Sequence, residues 1–243
     1  MIKIQFFWHG APFGLLEKLT LQSFVNQGYD VNLWAYSKIS CDSRVHLCDA
    51  NQIIPQDELY FYSGNGDCRK GSLGGFSDLF RYTLLYKQGG TYVDMDSVCL
   101  SYFNFDSEYV IKPHSFCGVV ANVLKAPAGS TFLEKCISET KKYVKLDNDD
   151  WILPVNIFAN LVKEFNLTEF ISPKNFFGSD DINELRAIKT LSYNKAHNIL
   201  PNYILHWCKE ASHGNWSQYD YYNWNKPVPL SVYSTLLINN GVG

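Results

Sequence analysis

The chain has 243 residues, which fits one large α/β domain or two small ones, and its 46% hydrophobic content excludes a disordered protein and supplies a sizeable core. A formal net charge of −3 gives no electrostatic basis for holding nucleic acid or an anionic membrane. Seven cysteines, an odd number with no C-x-x-C pair, support neither structural zinc nor a disulfide framework, so free thiols in a reducing cytoplasm are expected.

The opening residues are too short and too aromatic for a signal peptide and predict a buried strand over residues 2–7, broken by Trp8-His9-Gly10-Ala11-Pro12. Apolar residues at 15, 16, 19, 24 and 25 predict a helix over 15–27; Gly28 stops it, and 29–35 reads as a second strand. This strand-helix-strand opening suits a nucleotide-binding α/β unit, although the G-x-G-x-x-G fingerprint of dinucleotide binders is missing. Residues 63–75 are Gly-rich and read as a loop. A helix over 76–88 follows, with Phe76, Leu79, Phe80, Leu84 and Leu85 as its apolar stripe, and Gly89-Gly90 ends it. A short strand over 91–94 carries Asp94-Met95-Asp96 at its end, and the chain stays extended over 98–100.

Further strands are predicted at 109–112 and 116–120. A helix is predicted from Thr131, paired with Glu134 as in a capping box, to about Tyr143. The acidic run Asp147-Asn148-Asp149-Asp150 reads as a solvated loop, 155–165 as an amphipathic helix, and 200–207 as a late strand. From Cys208 onward the sequence reads as irregular. Its aromatic residues, among them Trp216, Tyr219, Tyr221, Tyr222 and Trp224, suit a lid, an acceptor platform or simple packing, with lid or platform preferred because the intervening residues are polar and turn-rich. No apolar run approaches the ~20 residues that span a bilayer.

Residues 74–100, GGFSDLFRYTLLYKQGGTYVDMDSVCL, concentrate the chemistry. Ser77, Asp78 and Arg81 share one helical face, opposite the apolar stripe and pointing away from the core. The Gly-Gly turn folds the helix back onto a strand that ends in two carboxylates, so the face and Asp94 and Asp96 should meet. Carboxylate oxygens suit a hard divalent cation, which in turn grips a diphosphate, and a carboxylate beside a guanidinium can orient a sugar diol. An Asp-x-Asp alone says little, since Asp147-Asn148-Asp149 is a second copy; the information lies in the ordered combination Ser-Asp-x-x-Arg, helix, Gly-Gly, Tyr-x-Asp-x-Asp.

That combination resembles the glycosyltransferase family with the DXD sugar-binding region, which includes capsular-polysaccharide, α-1,4-galactosyl and initiating α-1,6-mannosyl transferases. The opening FFWHGAPFGLLEKLTLQSFVNQGYDVNLWAYS and the later NVLKAPAGSTFLEKCI also look like this family. The resemblance implies a single GT-A-type domain over residues 1–243, an α/β fold with a mixed, mostly parallel sheet flanked by helices. Residues 1–100 would form the nucleotide-sugar half and 101–243 the acceptor side and C-terminal lid. It further implies Mn²⁺ or Mg²⁺ on Asp94, Asp96 and His206. The catalytic group would be Asp78, Arg81, Asp94 and Asp96. The donor would lie against Phe7, Trp8, Ser77, Asp78, Arg81, Tyr92, Asp94, Lys209 and Trp216. The expected donor is a nucleotide-sugar, UDP-linked by preference, and the acceptor a glycan or glycolipid, with retention of anomeric configuration. Peripheral membrane association remains open on this reading, without any amphipathic anchor to carry it.

Two other readings use the same residues. In a haloacid dehalogenase-type phosphatase Asp94 would be the nucleophile, Asp96 the general acid, and Gly178-Ser179-Asp180-Asp181 the later acidic motif. That motif normally opens its fold, and here about 90 residues precede it, leaving Ser77, Asp78 and Arg81 unexplained. A non-catalytic carbohydrate-binding module would account for the 16% aromatic content but not for the charged cluster.

Overall fold

The computed structural model describes residues 2–64, 70–178, 180–181, 184–185, 188–189, 191–196, 198–209 and 223–243. Its elements follow in chain order. Strand β1 (Lys3–Trp8), helix α1 (Leu15–Asn26), β2 (Asp30–Ala35) and β3 (Val45–Asp49) come first. Helix α2 (Gly74–Gln88), β4 (Gly90–Val93) and β5 (Ser97–Cys99) carry the central segment. The hairpin β6 (Val110–His114) and β7 (Gly118–Ala126), helices α3 (Thr131–Tyr143) and α4 (Leu153–Glu164), and β8 (Ile204–His206) complete the frame, with a last helix at Val232–Asn239.

Six strands form one mixed sheet in the order β3-β2-β1-β4-β7-β6. The pairs β1–β2, β2–β3 and β1–β4 are parallel, and β4–β7 and β6–β7 are antiparallel. Side chains alternate across the strands, so each strand feeds two cores. Phe7, Trp34, Tyr92 and Leu124 pack with α2, α3 and α4 on one face. Ile4, Phe6, Val31, Leu33, Val93 and Val123 pack under α1 on the other. Helices on both faces explain why the central strands β1 and β2 are mostly buried. Among the described residues no helix is long and apolar enough to cross a membrane.

The predicted strand-helix-strand opening and the helix–Gly-Gly–strand unit fold as expected, while several boundaries differ. Trp8 ends β1 instead of breaking it. Ser130, not Thr131, caps α3, its hydroxyl accepting from the Leu133 N–H. β7 runs on to Ala126, well past residue 120, because its outer half pairs with β4. β3 went unread, and the late strand shrinks to three residues. The region after Cys208 is not irregular throughout: Ser231 caps the helix Val232–Asn239, which buries Val232, Tyr233, Leu236 and Leu237.

Two glycine positions shape the central unit. Gly89 and Gly90 have φ of +62° and +95°, which lets α2 reverse directly into β4. Gly75 sits where α2 meets a neighbouring wall, and a Cβ there would lie 2.6 Å from Tyr62 Cζ and 2.9 Å from Val144 Cγ1. Gly75→Ala is therefore expected to cost about 1–3 kcal/mol by overpacking. Urea denaturation measures it, and an unchanged midpoint would contradict this packing.

Candidate active site

The end of β4 is held by backbone hydrogen bonds: Asp94 N–H donates to Asn122 O (3.0 Å) and Ser97 N–H to Asp94 O (3.2 Å). This turn presents Asp94 and Asp96 from the C-terminal edge of a parallel strand, the usual ligand side of such sheets. α2 lies alongside and delivers Ser77, Asp78 and Arg81. The expected outward face is corrected by the structure. Arg81 is only 7% exposed, because its face of α2 is covered by the end of the sheet and not by solvent.

Arg81 organises the near half of the site. Its Nη2 lies 3.0 Å from Asp94 Oδ1 and 3.3 Å from Ser77 Oγ, and its Nη1 lies 3.4 Å from Asp78 Oδ1. The guanidinium also rests 5.0 Å from the centre of the Tyr92 ring. Burial pushes the Asp78 carboxyl up to about 6, with Arg81 opposing and Asp94 adding to the rise. Burial likewise raises Asp94 against the pull of Arg81, and Asp96 raises it further.

The far half arrives from the other end of the chain. β5 pairs with β8 so that Ser97 faces His206. His206 Nε2 then stands 3.1 Å from Asp96 Oδ1, and the Lys209 N–H donates to Asp96 Oδ2 at 2.7 Å. Burial pushes Asp96 up, but the His206 imidazole and the Lys209 N–H hold it below the usual carboxylate range. Burial pulls His206 down, yet Asp96, Cys208 and Asp180 carry it well above the ordinary histidine range. Ligand atoms of Asp94, Asp96 and His206 all lie within 4.8 Å of one another, a possible cation site.

Both halves border one cavity of about 450 Å³. Its walls include Phe7, Trp8, Ser77, Asp78, Arg81, Tyr92, Asp94, Asp96 and Lys209, so nine of the residues singled out in the sequence converge there. They are not equally accessible. Phe7 is largely core, stacked on Phe80 at 3.9 Å, and Tyr92 is almost wholly buried beneath Arg81. Trp8 stands at the rim, its Nε1–H bonded to Ala11 O. The Lys209 ammonium reaches the buried Glu17 carboxylate at 2.5 Å. Trp216 lies outside the described residues.

Sequence reasoning missed Glu17, Asn122 and Lys112, and assigned Asp180 only to the phosphatase reading. Asn122 lines the cavity, and its amide donates to Asp180 Oδ2 at 3.1 Å. Asp180 also takes the Lys112 ammonium at 2.5 Å and faces His206 Nδ1 at 3.1 Å. No spacing in the sequence links these positions; only the folded sheet does.

The family described as glycosyltransferase sugar-binding region containing DXD motif matches residues 29–114. Residues 29–114 are thus similar to a glycosyltransferase sugar-binding region. The matched region contributes Ser77, Asp78, Arg81, Tyr92, Asp94 and Asp96, whereas Phe7, Trp8, Glu17, His206 and Lys209 come from outside it. Two solved structures align with the chain. The PaToxG glycosyltransferase aligns at 14% identity over 67% of this chain and 68% of that one, with a TM-score of 0.48. The apo form of glycosyltransferase GlyE from Streptococcus pneumoniae TIGR4 aligns at 16% identity over 98% of this chain, with a TM-score of 0.47. The chain spans only 62% of the GlyE chain. No curated protein sequence matches it.

Proposed function

We propose that the chain, acting as one domain, transfers a sugar from a UDP-sugar to a glycan or lipid-linked acceptor with the help of Mn²⁺ or Mg²⁺. One observation carries this reading: Asp94, Asp96 and His206 converge at a cavity that Asp94 and Asp96 line together with Ser77, Asp78 and Arg81. Two carboxylates and one imidazole fit Mn²⁺ well and Mg²⁺ acceptably. When bound, the cation supplies charge stabilisation to the departing diphosphate.

The chain's own groups do the remaining work. Arg81 holds Asp94 by one oxygen and fixes its rotamer. Asp78 and the Arg81 fork can hydrogen-bond vicinal hydroxyls of the donor sugar. Lys209, anchored by Glu17 and 5.7 Å from the Trp8 ring, closes the nucleotide end. Each carboxylate lining the described cavity already faces a cation: Asp78 and Asp94 face Arg81, Asp96 faces His206, and Glu17 faces Lys209. That engagement favours a same-face displacement with retention, the leaving phosphate taking the acceptor proton, over a double displacement through a free carboxylate.

The test is nucleotide release from a panel of UDP- and GDP-sugars, with a simple phosphate ester as control. Release from a UDP-sugar with Mn²⁺, abolished by EDTA, is the expected result. Ester cleavage without nucleotide release would establish the phosphatase reading instead.

Asp78 adds a pH signature. Its folded value near 6 lies above the 3.8 of the unfolded chain, so the stability it contributes is complete below 3.8 and is lost as pH rises through 6. At neutral pH the ionised carboxylate therefore costs stability in exchange for sugar contact. Asp78→Asn is expected to stabilise the protein at pH 7 by about 1–3 kcal/mol, following ~1.4 kcal/mol per pKa unit. It should also lower kcat/KM and erase the acid limb of the donor profile near pH 6. A destabilised variant with an unchanged acid limb would contradict both points.

A further inference from the structure

Behind His206, on the side away from Asp96, lies a second charged pair that no step of the proposed reaction uses. Lys112 projects from β6 and is completely buried. Its ammonium is 2.5 Å from Asp180 Oδ2. The same oxygen lies 3.1 Å from His206 Nδ1 and accepts from the Asn122 amide at 3.1 Å. Lys112, Asp180, His206 and Asp96 thus form a row, each within 3.1 Å of the next. Two of the residues around His206 hold left-handed backbone, Asp180 at φ +56° and Cys208 at φ +50°. Such conformations persist where the surroundings enforce them.

We propose that Asp180 and Lys112 are positioning residues that fix which nitrogen of His206 faces the cation. Asp180 accepts the Nδ1 proton, which leaves the Nε2 lone pair as the one directed toward Asp96. Lys112 holds Asp180 turned toward the ring through their buried ion pair. Asn122 Nδ2 is 2.9 Å from Nδ1 but donates to the carboxylate, and Cys208 Sγ, 3.2 Å from Nδ1, is a weak acceptor beside it. Asp180, His206 and Cys208 could themselves hold a metal by their spacing. The Lys112 ammonium already supplies the positive charge at Asp180, so the row supports the Asp94–Asp96–His206 site and does not compete with it. Outer carboxylates of this kind orient a ligating imidazole and raise its affinity for metal.

This inference rests on the reading of His206 as a ligand, and the experiment separates the two. Mn²⁺ affinity is measured by electron paramagnetic resonance of free ion on the wild type, His206→Ala, and two charge-free doubles. Lys112→Met/Asp180→Asn keeps an oxygen opposite Nδ1, and Lys112→Met/Asp180→Leu removes it. Following the outer-carboxylate precedent, the asparagine double should bind within about threefold of wild type, and the leucine double about 10–100-fold more weakly. Saturating Mn²⁺ should restore kcat in the leucine double, a rescue that a merely structural defect would not show. Equal affinity of the two doubles would overturn the positioning role. Wild-type affinity in His206→Ala would overturn the ligand reading itself. If the leucine double fails to fold, Lys112→Met/Asp180→Ala is read in its place.

Discussion

Asp96→Asn should lower sugar transfer by about three orders of magnitude, ~4 kcal/mol of barrier, while the melting temperature stays close to that of wild type. The carboxylate serves two partners: Oδ1 faces His206 Nε2 at 3.1 Å, and Oδ2 accepts the Lys209 N–H at 2.7 Å. Alanine would remove both, mixing loss of chemistry with loosening of the segment that carries Lys209. Asparagine can keep an oxygen on the Lys209 N–H and loses the second anionic oxygen. It isolates the charge on which, in the proposed reaction, a cation and the departing diphosphate would depend. Steady-state rates across a Mn²⁺ series, set beside thermal melting, make the measurement. Full activity with an unaltered Mn²⁺ dependence would remove Asp96 from the reaction.

The second large effect is expected at Arg81. Arg81→Leu should destabilise the fold by about 3–5 kcal/mol, the usual cost of breaking a buried pair by deleting one partner. The guanidinium serves Asp94, Asp78 and Ser77 at once, and its removal leaves two partly buried carboxylates without their shared cation. Arg81→Lys should recover only part of the loss, because a single ammonium cannot reproduce a planar fork that spans two acids. Combining Arg81→Leu with Asp78→Asn should recover part of the stability through relief of the repulsion between Asp78 and Asp94, and denaturant midpoints of the singles and the double give the coupling. Additive effects would mean that Arg81 and Asp78 do not act on each other.

The near half of the site was legible in the sequence because it is local. One helix, two glycines and one strand, residues 74–96, carry Ser77, Asp78, Arg81, Asp94 and Asp96 within one short segment. The first strand-helix-strand unit was legible for the same reason: its apolar spacing is set by packing on the sheet next to it. What escaped was non-local or weakly patterned. β3 is an edge strand with mostly exposed side chains, so it carries no alternation to read. The helix Val232–Asn239 follows an aromatic, turn-rich stretch that hides its start. Lys112 is the clearest miss. A lysine in a strand reads as solvent-facing, yet this one is buried, because its partner Asp180 arrives from later in the chain. The same distance hid the outer support of His206. Arg81 was placed on the right face of the helix with the wrong surroundings, since helical periodicity reports which residues share a side and not what covers it.

The ribbon made by Ser97–Cys99 and Ile204–His206 sets the order in which competence is acquired. Asp96 and Lys209 stand 113 positions apart, and closing so long a loop is slow compared with forming the helix–glycine–strand unit. On the proposed reading, the aspartate pair would lack its third partner until this ribbon forms, so donor turnover would switch on only with that long-range closure.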